Sequence, residues 1–447
     1  MDWLRRAAAE TPDAPAIVAG DAEIPYGALD RAADAVAGVV AASGIGPGGA
    51  VALWGLNTPG TVAAVWGIPR SGAMAVMLPP GLSAAEAMRL TRLSGATGLW
   101  GGGDGPDVDR LLSSPSATNR APREGPPDGG ARYVVFTSGS NGARQGVILT
   151  GRQIEASAWA SAERLGSSAS DRWLCVLPLG HVGGLSILWR QARVGGCVVL
   201  HEAFDAAAVA DALDGGVTLA SLVPTMLRRV VADAQRPFAG PRAVLVGGGP
   251  ADADLLVAAR TRGIPAVQTY GMTETASQVC TEDPADPGPP GTAGRPLVGV
   301  EVRTVDADGR PAAEGIVEVR GPMVSPGDID GTAREPDGWL RTGDLGALDA
   351  AGRLRVLGRA DRVIVTGGEN VHPAVVEAAL AGVPGVAAAQ VTGEPDPEWG
   401  TAVVARIVAE HVDPAEVLDA VRSRLAPHEV PKRIEIVDRI DASWKDV

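Results

Sequence analysis

Short, continuous apolar runs alternate with amphipathic stretches through the first two thirds of the chain. Val51-Ala52-Leu53-Trp54 and Ala75-Val76-Met77-Leu78 are bounded by glycine and proline, the pattern of strands buried on both faces of a parallel sheet. Comparable runs recur at 174–177, 197–200, 219–223 and 243–246. Between them lie helical spacings. Leu29, Ala32, Ala33, Val36, Val39 and Val40 fall on one face of a helix predicted over 28–42. This alternation predicts an α/β protein with layered sheets and helices. From 294 to 360 the pattern turns β-rich, with runs at 299–306, 315–321 and 352–358 punctuated by Asp-Gly turns. Residues 101–131, rich in Gly, Pro, Ser and Asp, predict a surface loop.

The end of the chain predicts a compact α+β unit. Pro373 suits the first turn of a helix through Leu380, and Asp413-Pro414 reads as an N-cap and N1 pair. Val417, Leu418, Val421 and Leu425 mark one face of the helix that follows, with Pro427 and Pro431 expected to end it. Arg433–Val437 is strand-like.

With 447 residues, 45% of them apolar, the chain can bury a large core, as about three domains or one multi-lobed one. A net charge of −14 argues against nucleic acid or a membrane surface as partner. No apolar stretch is long enough to cross a membrane, and the N-terminus lacks the apolar core of a signal peptide. Cys175, Cys197 and Cys280 are odd in number and widely spaced, which predicts buried, reduced thiols in a cytoplasmic enzyme. Of the 39 basic residues only Lys432 and Lys445 are lysine. A lysine retained in so lysine-poor a chain is a better functional candidate than usual.

The chemistry concentrates in a series of short segments. Thr137-Ser138-Gly139-Ser140-Asn141-Gly142-Ala143-Arg144-Gln145-Gly146-Val147 sits between two apolar runs, and its glycines and hydroxyls suit a phosphate. Gly247-Gly248-Gly249-Pro250 follows the run Ala243–Val246 and offers a flat backbone surface to a purine. In Tyr270-Gly271-Met272-Thr273-Glu274, the ring can stack on that purine, the Thr273 hydroxyl can meet an α-phosphate, and Glu274 offers a hard oxygen to Mg²⁺. Asp344 can accept from ribose hydroxyls and Arg359 can donate to ribose or phosphate. Singly, each reads equally well as a turn, a core aromatic or a loop carboxylate. With Gly367-Gly368-Glu369-Asn370 after them, six such elements in one order point to ATP.

Together these segments resemble the acyl-adenylate-forming superfamily of acyl-CoA synthetases, adenylation domains and luciferases, over nearly the whole chain from Thr11 onward. The resemblance implies a large N-terminal domain over 1–360, with mixed sheets flanked by helices plus a β-rich lobe. A small mobile α+β domain over 361–447 would follow, with the hinge at Asp361. It implies an AMP-forming ligase. ATP and a carboxylic acid give acyl-AMP and pyrophosphate, and a thiol, usually that of CoA, then displaces AMP. A narrower likeness, to the o-succinylbenzoate–CoA ligases, rests on Leu177–Leu185, on Thr275-Ala276-Ser277-Gln278 and on Gly367–Pro373. By it His181 and Ser277 lie near the acyl pocket, and Gly183 and Gly184 leave room for an aryl acid. A structural role for His181 competes with that reading. His201, His372, His411 and His428 read as surface or structural.

Two departures stand out. The phosphate loop of the superfamily resembles TSG(S/T)TGxPKG, whereas here Arg144-Gln145 replaces Pro-Lys, and a guanidinium one position away is no equivalent. The superfamily also ends on a lysine that reaches the acyl phosphate. Lys445 is its counterpart here, with Trp444 where glycine is usual; Lys432 is expected on the surface of the small domain. The leading expectation is therefore a ligase for an aryl, o-succinylbenzoate-like acid, with ATP, Mg²⁺ and CoA. Alternatives are another substrate or acceptor, as in an ATP-dependent diazotase activating nitrite or a loader of carrier proteins, and a weakened nucleotide-binding homologue. Neither the acid nor the oligomeric state is legible.

Overall fold

The computed structural model describes residues 2–101, 130–138, 144–233, 238, 240–249, 251–335, 338–397, 399–409 and 412–440. Among them, two large sheets share one core. The nine-stranded sheet has its central strands in the order Ala266–Met272, Ala243–Val246, Leu219–Leu222, Arg172–Cys175 and Cys197–Leu200, all parallel. The five-stranded sheet runs Leu99–Trp100, Ala50–Trp54, Met74–Leu78, Ala131–Ser138 and Arg144–Thr150, with the last pair antiparallel.

Period-two alternation explains why these strands are apolar throughout. Trp173, Cys175, Leu219, Leu245 and Val267 enter the core between the sheets, together with Val51, Leu53, Met77 and Val135 from the smaller sheet. Leu174, Val176, Ala220, Val244 and Ala266, the alternate positions, bury against the helices on the other face. The helices Tyr26–Ala42, Pro59–Arg70 and Val182–Val194 fill the shared layer. Leu29, Ala32, Ala33, Val36 and Val40 of the first are buried, as their spacing predicts.

The β-rich region forms a four-stranded antiparallel sheet of Glu301–Val305, Glu314–Arg320, Leu340–Leu348 and Leu354–Arg359. A separate core built only from Ile364 onward, including Val376, Leu380, Val403, Ile407, Val417 and Val421, defines a small C-terminal domain beside the large N-terminal one. The Asp413 side chain caps the helix Pro414–Arg422 by accepting from Ala415 N at 2.8 Å. Lys432 is exposed, its Nζ 4.2 Å from the Trp399 ring centroid.

Three expectations shift. The run 174–177 is a strand only over Arg172–Cys175, because the backbone at Leu177 and Leu179 is taken up by the Asn57 side chain instead. The helix after Asp413 stops at Arg422, before Pro427, and Leu425 reaches the core from the following turn. Most of the 101–131 loop lies outside the described residues, and a strand already begins at Ala131.

Candidate active site

Gly247–Gly249 and Tyr270–Thr273 stand at the carboxyl ends of parallel strands, where open α/β sheets place their ligands. Gly247 directly follows the strand Ala243–Val246, and Gly248 turns the chain with φ +78°. In the neighbouring strand, Tyr270, Gly271 and Met272 lead into a 3-10 turn at Thr273–Thr275. The chain then doubles back antiparallel as Ser277–Thr281. Gly271 is dictated by that reversal, since a Cβ there would lie 1.8 Å from the Ser277 carbonyl oxygen.

The turn is pinned from several sides. Thr275, fully buried, has its hydroxyl 3.0 Å from the carbonyl oxygens of both Met272 and Ser277, and the Met272 N–H reaches that hydroxyl at 3.3 Å. The Ser157 hydroxyl donates to Ala276 O at 2.8 Å and the Ser325 N–H to Glu274 O at 2.7 Å. Held this way, Ala276 and Ser277 adopt φ of 49° and 108°, values rare outside glycine and concentrated at functional sites.

Tyr270 joins this turn to the antiparallel sheet. Its hydroxyl donates to Asp344 Oδ2 at 2.7 Å. Asp344 pairs in register with Arg359 across the strands Leu340–Leu348 and Leu354–Arg359, and Arg359 Nη1 lies 3.5 Å from Asp344 Oδ1. Arg359 also donates to both carboxylate oxygens of Asp361 at 3.2 Å, on the short turn that leads into the C-terminal domain. A tyrosine, a carboxylate and a guanidinium drawn from sequence positions nearly ninety residues apart thus form one continuous edge.

Burial pushes the Glu274 carboxyl up, and the charges of Asp328 and Asp344 push the same way, while Arg334 opposes them. A desolvated carboxylate in a net negative field fits a divalent cation. Among the described residues no cluster of three protein ligands surrounds it. Mg²⁺ needs only one or two carboxylates and completes its shell with water and phosphate.

The second group lies on the helix Val182–Val194, N-capped at His181, which is buried. Gly183, Ser186 and Arg190 fall on one face by their spacing of three and four. The Ser186 hydroxyl and Arg190 Nη2 reach Ser277 Oγ at 3.4 and 3.0 Å. The lack of a side chain at Gly184 has a packing cause, since a Cβ would lie 2.4 Å from Leu177 O; at Gly183 it would meet only Leu177 Cδ1, at 3.2 Å.

Arg190 was not among the sequence candidates. It is 3% exposed, its Nε has no hydrogen-bond partner among the described residues, and its guanidinium stacks 5.4 Å from the Trp173 ring centroid. Burial alone pushes its pKa down to about 9. A buried cation that no carboxylate among the described residues neutralises is costly unless an anion arrives. The signal in the sequence is a lone charge within the buried run Gly184–Ala192. Asn57 was also missed. Its amide donates to Leu177 O and His201 O and accepts from Leu179 N, which holds the loop before His181.

Thr137 and Arg144 stand at the base of the hairpin between Ala131–Ser138 and Arg144–Thr150, where Thr137 pairs with Gln145 and Ser138 with Arg144. Gly139, Ser140, Gly142, Pro250 and Lys445 lie outside the described residues.

The fold and this edge of motifs define a nucleotide-dependent enzyme class, and the family comparison agrees. Residues 4–327 match the AMP-binding enzyme family and residues 375–443 its C-terminal domain. The chain belongs to the AMP-binding enzyme family. It is 36% identical over 463 aligned residues to 2-succinylbenzoate–CoA ligase of Bacillus licheniformis, covering 98% of this chain and 96% of that one. The corresponding ligase of Bacillus subtilis is 34% identical, covering 98% and 94%. Among solved structures, o-succinylbenzoate CoA synthetase from Bacillus subtilis with the acyl-adenylate intermediate OSB-AMP superposes with a TM-score of 0.89 at 33% identity, covering 98% of this chain and 95% of that one. A double mutant of the same synthetase with the product analogue OSB-NCoA gives 0.76 at the same identity, covering 100% and 96%.

Proposed function

We propose that this protein is an AMP-forming ligase that adenylates o-succinylbenzoate, or an aryl diacid much like it, and passes the acyl group to CoA. In the first step a carboxylate oxygen attacks the α-phosphorus of ATP and pyrophosphate leaves. In the second the CoA thiolate attacks the acyl carbon and AMP leaves. The full-length likeness to ligases of that name supports the reading, as does the nucleotide edge of Gly247–Gly249, Tyr270, Asp344 and Arg359.

The observation that carries the choice of acid is Arg190. o-Succinylbenzoate bears a second carboxylate on its ring, away from the one activated. A buried guanidinium beside Ser277, on the helix face shared with Gly183, supplies the matching charge. Nitrite has no second anionic group to use it. His181 at the head of that helix lines the same pocket.

On this reading Asp344, oriented by Tyr270, accepts from the ribose hydroxyls, and Arg359 donates to ribose or phosphate. The Thr273 hydroxyl meets the α-phosphate, with Thr137, Ser138, Gly139, Ser140 and Gly142 around the remaining phosphates. Glu274 would hold Mg²⁺, which when bound neutralises charge on the phosphate oxygens. Lys445 donates to the acyl phosphate during adenylation. Residues 361–447 form the mobile domain with Asp361 as hinge. The lower superposition on the OSB-NCoA complex than on the OSB-AMP complex of one relative supports such a rearrangement. The setting is the cytoplasm, in keeping with three buried, unbridged cysteines and with no described helix long and apolar enough to cross a membrane.

The test is pyrophosphate release from ATP and Mg²⁺ across a panel of o-succinylbenzoate, simpler aryl acids, and nitrite with an aryl amine. Turnover with o-succinylbenzoate alone supports the reading, and turnover only with nitrite and amine overturns it.

A further inference from the structure

The hairpin after Thr137 carries Gln145 and Arg144 where the superfamily's loop resembles Pro-Lys, so the cation of that loop must be sought elsewhere. Arg144 is poorly placed. Alternate residues of a strand face opposite sides. Arg144 shares a side with Gly146 and Ile148, the side on which Ile148 joins Ala87 and Leu90 of the helix Ala84–Leu93. The Arg144 charge acts there on Glu86 of that helix. Gln145 shares the other side with Val147, which is in one core with Ala276 next to the Thr273–Thr275 turn. A cation serving the phosphates beside Glu274 has to come from this second side.

The segment 325–334 reaches it. Ile329 N–H donates to Gly146 O at 2.9 Å and Ile148 N–H to Gly327 O at 3.0 Å, so the segment runs along the strand that begins at Arg144. Ser325 is the common node. Its N–H donates to Glu274 O at 2.7 Å, its hydroxyl to Ile148 O at 2.7 Å, and Arg334 Nη1 donates to that hydroxyl at 3.1 Å. Arg334 Nη2 holds both oxygens of Asp328 at 2.9 Å, which fixes the plane of the guanidinium, and the side chain keeps 16% of its surface exposed. Its charge acts on Glu274. A mere staple between Ser325 and Asp328 would need a donor, and asparagine or glutamine would serve. A full charge that acts on Glu274 as well as on Asp328 has a further use.

We propose that Arg334 is a polyphosphate-contacting residue of the nucleotide site, supplying from the 325–334 segment the positive charge that Gln145 does not carry. The inference rests on the ATP-dependent reading above and adds a residue to it. Arg334 meets the β- and γ-phosphates, the part of ATP that departs as pyrophosphate, and contributes nothing to AMP.

The experiment is calorimetric titration of the full chain with ATP, with pyrophosphate and with AMP, for the wild type, Arg334→Gln, Arg334→Lys and the double variant Arg334→Gln/Gln145→Lys. Arg334→Gln should weaken ATP and pyrophosphate roughly 10- to 100-fold and leave AMP within about twofold. Arg334→Lys should keep most of the affinity. Gln145→Lys should restore much of what Arg334→Gln loses, because it returns the charge from the hairpin side. Equal weakening of ATP and AMP, no weakening of either, or failure of the lysine to rescue would overturn the proposal. Should Arg334→Gln not fold, Arg334→Lys decides: loss of ATP affinity together with AMP affinity would count as structural and against it. Wild-type AMP formation with o-succinylbenzoate is measured alongside. Its absence would sink the functional reading, whereas normal wild-type turnover with unchanged ATP binding in Arg334→Gln sinks only the role of Arg334.

Discussion

The Tyr270 hydroxyl donates to Asp344 Oδ2 at 2.7 Å, and this bond ties the end of the strand Ala266–Met272 to the strand Leu340–Leu348 of the antiparallel sheet. On the proposed reading it aims the carboxylate that accepts from the ribose hydroxyls. Tyr270→Phe keeps the ring and removes only the donor. A hydrogen bond to a charged group is worth about 1.5–3 kcal/mol, so KM for ATP should rise roughly tenfold or more with a smaller change in kcat. Tyr270→Ala, which also removes the ring, should cost more. A Phe variant with the wild-type KM would separate Asp344 from the ribose.

Arg190 makes a prediction that pairs a variant with a substrate. Arg190→Met should raise KM for o-succinylbenzoate by about 2 kcal/mol, roughly thirtyfold. It should do little to 3-benzoylpropionate, which lacks the ring carboxylate. Because burial lowers the Arg190 pKa from its ordinary value, any loss of affinity at strongly alkaline pH should fall on the diacid and spare the monoacid. Equal responses of the two acids would place the ring carboxylate elsewhere.

How far the site could be read before folding depended on whether its parts were local. Tyr270–Glu274 and Gly247–Gly249 are contiguous, and the apolar runs that position them need no knowledge of tertiary structure. Arg190 acts on Ser277 from 87 residues away, and Asn57 holds Leu179 across 122. Neither contact leaves a local period. Arg190 reads as one charge on a helix, and only the burial of the whole run Gly184–Ala192 makes it unusual. The shortened strand at Arg172–Cys175 has the same origin, because Val176 and Leu177 are apolar enough for a strand and leave the sheet through a side-chain contact made elsewhere. The exchange of Pro-Lys for Arg144-Gln145 was visible in the sequence, but the side of the sheet each residue faces was not.

On the proposed reading Glu274 couples function to stability. Its folded pKa is raised by burial, so the folded state favours the protonated form, and the ionised carboxylate lowers stability once pH exceeds the folded value. Glu274→Gln should therefore raise the thermal midpoint of the ligand-free protein near neutral pH while lowering adenylation by about a hundredfold or more. Affinity for Mg²⁺-ATP should fall on acidification from a higher pH than an ordinary glutamate would give, with a proton released on binding. A destabilised glutamine variant would contradict this account of the turn.

On the proposed reading Lys445 carries the remaining charge of the adenylation step. Lys445→Ala should reduce acyl-AMP formation by about 10²-fold or more and leave ATP binding within about twofold, since the lysine acts on the acyl phosphate formed in the reaction. Transfer to CoA from synthetic acyl-AMP should survive the substitution. Unimpaired acyl-AMP formation would remove Lys445 from the site.

The most direct test of the whole account is product analysis by mass spectrometry, with the protein incubated with o-succinylbenzoate, ATP and Mg²⁺, before and after addition of CoA. The account predicts o-succinylbenzoyl-AMP and pyrophosphate in the absence of CoA, then o-succinylbenzoyl-CoA and AMP once CoA is present. Formation of ADP, AMP formation only with nitrite and an aryl amine, or no consumption of ATP with any acid would contradict it.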